Sequence, residues 1–159
     1  MSDGHELGMW LRNAYLSFHR RANSRMLKHG ITADQFVLLS VLAREEGITQ
    51  ITIVERTASD PNTVAAILRL LEHRGLVRRE AHANDRRARC VFMTADGKRV
   101  HRQAAKESQP LLRSLWECMS GASRPEIERF LKRVHTAFSS SAVRADGRHK
   151  RNSRKTATT

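Results

Sequence analysis

Four side chains of a short segment, all small, polar or cationic, have the chemistry needed to recognise base edges. A side-chain amide can pair with adenine, a hydroxyl can donate or accept, a methyl can contact thymine, and a guanidinium can pair with guanine. Helical spacing places them on one face, just after Pro61: Asn62, Thr63, Ala66 and Arg69. The segment therefore indicates a major-groove reading surface, and the alternative is an ordinary solvated helix face.

Both ends of the helix that must carry this face are marked in the sequence. Asp60 can accept the free backbone N–H groups of the first turn, and Pro61 suits the first helical position. Gly75 fits the left-handed position that ends many helices. Between these ends, apolar residues recur at helical spacing and predict the buried face: Val64, Ile67, Leu68 and Leu71.

A shorter helix precedes this one, and a hairpin follows it. Thr49 is predicted to cap a helix from Gln50 to Thr57, and Thr49 and Gln50 at its start can donate to a phosphate. Residues 76–82 and 88–93 have the composition of two strands, with residues 83–87 as the turn. A helix-turn-helix followed by a hairpin is a winged helix, although an Arg-rich hairpin is often only a solvated sheet edge.

Several motifs, in this order and spacing, resemble the MarR (multiple antibiotic resistance regulator) family. They are Thr32 to Phe36, the run Leu71-Glu72-His73-Arg74-Gly75-Leu76-Val77-Arg78-Arg79, Asp85-Arg86-Arg87, and Met93-Thr94-Ala95-Asp96-Gly97. The resemblance covers roughly residues 7–138. It implies cytoplasmic homodimers that bind palindromic double-stranded DNA, usually as repressors released by a small molecule.

The resemblance also implies roles for the wing. Arg87 at the wing tip would enter the minor groove, where negative potential attracts a guanidinium. Asp85 would hold that arginine by a charge-assisted hydrogen bond. Further phosphate contacts are expected from the remaining arginines of the hairpin: Arg78, Arg79, Arg86 and Arg89.

Composition supports a polyanionic partner. The chain has 159 residues, enough for one domain, and a formal net charge of +13. Aromatic residues make up only 5%, which argues against stacking platforms for single strands. The two cysteines are far apart, and the eight histidines lack ligand spacing, so no metal, cofactor or enzyme activity is expected. No signal peptide or membrane span is predicted.

Apolar stripes lie on the first and last helices. The stripe of the first helix could be core, but the resemblance implies that both stripes form the dimer interface. The first helix is expected over residues 5–28, and its stripe includes Leu7, Trp10 and Leu11. The last helix carries Ile127, Phe130, Leu131, Val134 and Phe138. By the resemblance, a small aromatic acid or its thioester is the expected effector, and the ligand-lining residues are predicted to be Tyr15, His19, Arg20 and Phe36.

The predicted fold class is mainly α with a small β-hairpin wing and terminal dimerisation helices. The MarR-like domain is expected over residues 1–143, with the winged helix at about 30–97 and dimerisation helices at 5–28 and 98–139. Thr32 with Gln35 predicts a capping box, and Phe36, Leu39, Leu42 and Ala43 are expected to face the core. Residues 144–159, with six basic residues and one acidic residue, predict a disordered tail.

Two further hypotheses remain open at this stage. The first is a cysteine-based oxidant sensor of the same fold, since Cys90 follows Arg89, whose charge favours a thiolate. Two points count against this hypothesis. A packed, unreactive cysteine is more common than a reactive one. Some oxidant-sensing relatives keep a reactive cysteine near the start of the first helix, and this chain has none there. The second is an architectural protein that binds DNA without sequence preference, which the tail and net charge would allow.

Overall fold

The computed structural model describes residues 3–82, 85–119 and 123–152, which form six helices and three strands. In chain order they are α1 (Asp3–Leu27), α2 (Ala33–Arg44), β1 (Ile48–Thr49), α3 (Gln50–Thr57), α4 (Pro61–His73), β2 (Val77–His82), β3 (Asp85–Met93), α5 (Ala95–Glu117) and α6 (Arg124–Asn152). The predicted mainly helical winged helix-turn-helix is confirmed. The chain divides into two compact units, residues 1–113 and 114–159.

Local hydrogen bonds explain where the helices of the first unit begin and end. Thr32 and Gln35 form the predicted capping box at the start of α2, with the Gln35 N–H donating to Thr32 Oγ1 at 3.1 Å. Thr49 Oγ1 accepts from the Thr52 N–H at the start of α3. At the end of α4, Gly75 has a φ of 66° and the Leu76 N–H donates to the Leu71 carbonyl. This is the Schellman arrangement that glycine permits.

The sheet has three strands in the order β1-β3-β2, both pairs being antiparallel. Strand β1, which pairs Ile48 with Val91 and Thr49 with Cys90, was not predicted, because two residues are too few to show a period. The predicted turn over residues 83–87 is also wrong in part, since the backbone of residues 85–87 belongs to β3 and pairs His82 with Asp85. Residues 83 and 84 lie outside the described residues.

A close backbone contact fixes the exit from the sheet into α5. The Thr94 hydroxyl donates to the Gly75 carbonyl and accepts from the Gly97 N–H at 3.0 Å. A Cβ added to Gly97 would lie 2.0 Å from the Leu76 carbonyl oxygen, so only glycine fits there. The Thr-x-x-Gly spacing of the sequence therefore has a packing reason.

The core of the first unit lies between the helices and the inner face of the sheet. Fully buried side chains come from α1 through α5, and the largest are Met26, Ile31, Leu38, Leu39, Leu42, Ile53, Leu68 and Leu71. The prediction that Ala43 faces the core is wrong, since it is exposed at the last turn of α2. Phe36 is only partly buried, but it packs against the core as predicted, and it also lines a cavity.

In the second unit, α6 continues to Asn152, past the point where the apolar period ends. The structure thus gives helical backbone to residues 144–152, where the sequence predicts disorder. Helical hydrogen bonds join residues four apart, so arginine, alanine and lysine can extend a helix without an apolar stripe. The predicted domain division at residue 144 stays a prediction, and residues 153–159 lie outside the described residues.

No helix among the described residues has both the length and the apolar character that a bilayer span requires.

Candidate nucleic-acid interface and effector cavity

The outward face of α4 presents unpaired polar side chains. Asp60 Oδ1 accepts from the backbone N–H groups of Asn62 at 2.8 Å and Thr63 at 3.0 Å, which fixes the start of the helix. Val64, Leu68 and Leu71 are buried on the opposite side. Within the described part of the chain, no protein group hydrogen-bonds to the side chains of three predicted base readers: Asn62, Thr63 and Arg69. These side chains and Pro61 are exposed, and Ala66 is half-buried among them.

The start of α3 lies in the same helix-turn-helix. Thr49 is half-buried, and its hydroxyl is engaged with Thr52, whose own hydroxyl lies 3.1 Å away. Gln50 is also half-buried. The Ile51 side chain, in the first turn of α3, is 73% exposed, while Ile53 lies in the core. An exposed isoleucine in a first helical turn has no distinct signal in the sequence.

The described arginines of the wing do not share one surface. Arg78 pairs across the ladder with Phe92, its guanidinium lies 4.8 Å above that ring, and it forms an ion pair with Glu80. Arg89 is exposed and pairs with Ala81. Because side chains alternate along a strand, Arg78 and Arg89 point to opposite faces of the sheet.

The side chains of the predicted Asp85-Arg86-Arg87 group lie outside the described residues, so their roles stay predictions.

Arg79 was predicted to contact phosphate, but it turns inward. Its Nε lies 3.2 Å from Glu72 Oε2 in the last turn of α4. The Nε and Nη2 atoms are buried and not aligned for a hydrogen bond, so this contact is mainly electrostatic. The pair joins α4 to strand β2. Both residues belong to the run that carries the MarR resemblance, but nothing in the sequence predicts their contact.

A cavity of about 230 Å³ lies beside α1, α2 and α5 in the first unit. Three of the four predicted ligand residues line it, namely Tyr15, His19 and Phe36. Arg20 does not line the cavity. It follows His19 on α1, so its side chain points in another direction, and its guanidinium donates to Ser17 Oγ at 3.2 Å. The other lining residues are Phe18, Ala22, Met26, Ala33, Asp34, Val37, Ser108, Leu111 and Leu112.

The polar end of this cavity is a hydrogen-bonded pair of side chains. His19 Nε2 lies 3.1 Å from Asp34 Oδ1, which connects α1 to the first turn of α2. The Tyr15 ring lies 5.5 Å from that of His19. The rest of the lining is mostly apolar, a combination that suits a small aromatic molecule with one polar group.

Apolar side chains remain exposed on both helices that were predicted to dimerise. On α1, the exposed fractions are 58% for Leu7, 72% for Trp10 and 44% for Leu11. On α6, Phe130, Leu131 and Phe138 are exposed, and Ile127 and Val134 are half-buried. Each stripe is thus available for a partner.

The sequence and structure match those of known transcriptional regulators. The MarR family model matches residues 29–88 of this chain. The transcriptional regulator HosA of Escherichia coli O127:H6 is 40% identical over 70 residues, which are 44% of this chain and 52% of HosA. A mutant MarR from E. coli, solved in complex with operator DNA, has a TM-score of 0.71 and 25% identity, covering 81% of this chain and 93% of that chain.

Residues 29–88 of the chain thus resemble the MarR family, and the fold is that of MarR.

The match to HosA spans about half the length of that relative. A broader match is to a putative transcriptional regulatory protein for the hcr operon of Thauera aromatica. It is 27% identical over 135 residues, or 82% of this chain and 79% of that protein. The residues that match the family model contain α2, β1, α3, α4 and β2, which form the helix-turn-helix and the start of the wing.

Proposed function

We propose that this chain is a sequence-specific DNA-binding transcriptional regulator of the MarR family. The observation that carries the proposal is the outward face of α4, where Asn62, Thr63 and Arg69 are exposed and have no protein partner in the described part of the chain. Unpaired donors and acceptors on a capped helix can enter a major groove at no cost in broken protein contacts. The net charge of +13 supplies the attraction to phosphates.

The proposed contacts follow from side-chain chemistry. Asn62 pairs with adenine, and Arg69 pairs with guanine or a phosphate. Thr49 and Gln50 approach the DNA backbone at the start of α3. In the wing, Arg89 contacts phosphate, Arg87 enters the minor groove, and Asp85 orients Arg87.

The protein acts as a homodimer on a palindromic operator. The exposed apolar stripes of α1 and α6 support this assembly, because isolated monomers rarely leave so many large apolar side chains in contact with water. Two recognition helices related by a dyad would read half-sites about one helical turn, roughly 10 bp, apart.

The regulator is a repressor that a small effector releases from DNA. The cavity at Tyr15, His19 and Phe36 supports an effector site, and its mostly apolar lining suits the aromatic ring of an aromatic acid or its thioester. An oxidant-sensing role through Cys90 gains no support, since that thiol is buried with 6% exposure.

Selection of bound duplexes from a random pool, followed by a screen for compounds that release them, tests the proposal. We expect one palindromic sequence to be enriched and at least one aromatic acid to lower the affinity for it. By linkage, the operator must weaken effector binding by the same factor. Enrichment of no sequence, with equal binding to unrelated duplexes, would instead identify an architectural protein.

A further inference from the structure

A second concavity, separate from the effector cavity, lies between the end of α2 and the start of α5. Its volume is about 370 Å³. We refer to it as the basic pocket, and its lining residues are Ala43, Arg44, Glu46, Met93, Lys98, His101 and Arg102. None of these residues belongs to the predicted DNA-reading set or to the effector cavity, so the proposed function leaves the pocket unexplained.

Charge in the basic pocket is unbalanced. Lys98 Nζ lies 3.0 Å from Glu46 Oε1, which accounts for the one carboxylate of the lining. Within the described part of the chain, the guanidinium groups of Arg44 and Arg102 have no anionic partner. Other arginines, such as Arg56 and Arg99, do have carboxylate partners, at 3.2 and 3.1 Å. Two uncompensated guanidinium groups facing one concavity favour a bound anion.

The position of Lys98 on α5 is consistent with a bound anion. Lys98 lies in the first turn of α5, where the positive end of the helix dipole disfavours a cation and favours an anion. Arg102 lies four residues further along the same helix, beyond the reach of this effect.

His101 provides a hydrogen-bonding group with a fixed orientation. Its ring stacks on Phe36 with the ring centres 5.4 Å apart, and its Nε2 lies 3.1 Å from Ser40 Oγ. The Ser40 hydroxyl donates to the Phe36 carbonyl, so it accepts from a proton on Nε2. Burial, together with the neighbouring Arg102 charge, lowers the pKa of His101. A bound anion would oppose both effects and raise it.

We propose that the basic pocket binds a small anion with at least two negative charges, carried by phosphoryl or carboxylate oxygens, through Arg44 and Arg102. The two uncompensated guanidinium groups match such a charge, and the Lys98–Glu46 pair closes one side of the pocket. The anion site is distinct from the effector cavity, since no residue lines both, and the stacking of Phe36 on His101 connects the two linings.

Titration calorimetry with pyrophosphate and with citrate, at fixed chloride concentration and without DNA, tests the proposal. We expect saturable binding of one anion per chain. Arg44→Gln and Arg102→Gln should each weaken it at least about tenfold, the effect of losing one charge-assisted hydrogen bond. Arg99→Gln is the matched control, because it removes the same charge from α5 at an exposed position already paired with Asp96. Thermal unfolding verifies that all three variants are folded.

Binding of pyrophosphate alone would identify a phosphoryl ligand, and binding of citrate alone a polycarboxylate. In nuclear magnetic resonance titrations, a saturating anion should raise the pKa of His101 and leave the ring resonances of His73, exposed on α4, unshifted. Absence of saturable binding, or equal weakening by all three substitutions, would overturn the proposal, since diffuse attraction to a basic protein depends on total charge alone.

Discussion

Replacement of Asn62 should change DNA recognition and leave folding unaffected. Its side chain is exposed, and its backbone N–H is the group that Asp60 caps. Asn62→Ala should therefore leave stability nearly unchanged, yet cost about 1–3 kcal/mol at one base pair in each half-site. The measurement is binding to a panel of operators mutated base by base at one salt concentration.

Asn13→Ala, at another exposed helical asparagine, on α1, is the control and should leave all base preferences intact. If Asn62→Ala also left them intact, another face of α4 would be the one in the groove.

At the scale of elements, the contact between Glu72 and Arg79 should set how the wing lies against α4. The two side chains are 43% and 23% exposed, so solvent screens the pair only in part. Glu72→Gln leaves a partly buried guanidinium without its counter-charge and should lower the free energy of unfolding by about 1 kcal/mol. Chemical denaturation measures this loss.

Glu45→Gln is the matched control. The Arg56–Glu45 contact has the same 3.2 Å separation, but its side chains are 59% and 50% exposed. Exposed pairs contribute little, so we expect a loss close to zero. Equal losses for both substitutions would mean that the Glu72–Arg79 pair has no special role in joining α4 to the wing.

At the scale of the whole molecule, the apolar stripes of α1 and α6 predict a dimer. Sedimentation at micromolar concentration should give a mass of twice 18.1 kDa. Leu131→Glu should shift the equilibrium towards single chains, because a charge in an apolar interface loses its hydration. Leu70→Glu, at a position on α4 that is similarly exposed, should not. A mass of one chain for the wild-type protein would exclude the assembly.

The basic residues at the C-terminus should increase the affinity for DNA without contributing to sequence recognition. Residues 144–159 contain six basic residues and one acidic residue. Deleting them should weaken binding to all sequences about equally and reduce the slope of log affinity against log salt, because fewer counterions are released. Loss of specific binding alone, with non-specific binding retained, would show that these residues take part in sequence recognition.

The sequence alone determined where most helices begin and end. Thr32, Thr49 and Asp60 cap helices through hydrogen bonds to residues two or three positions away, and Gly75 ends α4 through its own backbone angle. Such signals are local, so neighbouring residues suffice to predict them. The motifs that resemble the MarR family also predicted the wing, because they lie within one continuous stretch of the sequence.

Tertiary structure decided what depends on contacts between distant residues. Strand β1 exists because Ile48 pairs with Val91, and Arg79 turns inward because Glu72 lies beside it on α4. The basic pocket forms because the fold brings Arg44 close to Arg102. A residue's own type and its neighbours do not reveal such partners, since burial and pairing are set by segments that meet only when the chain is folded.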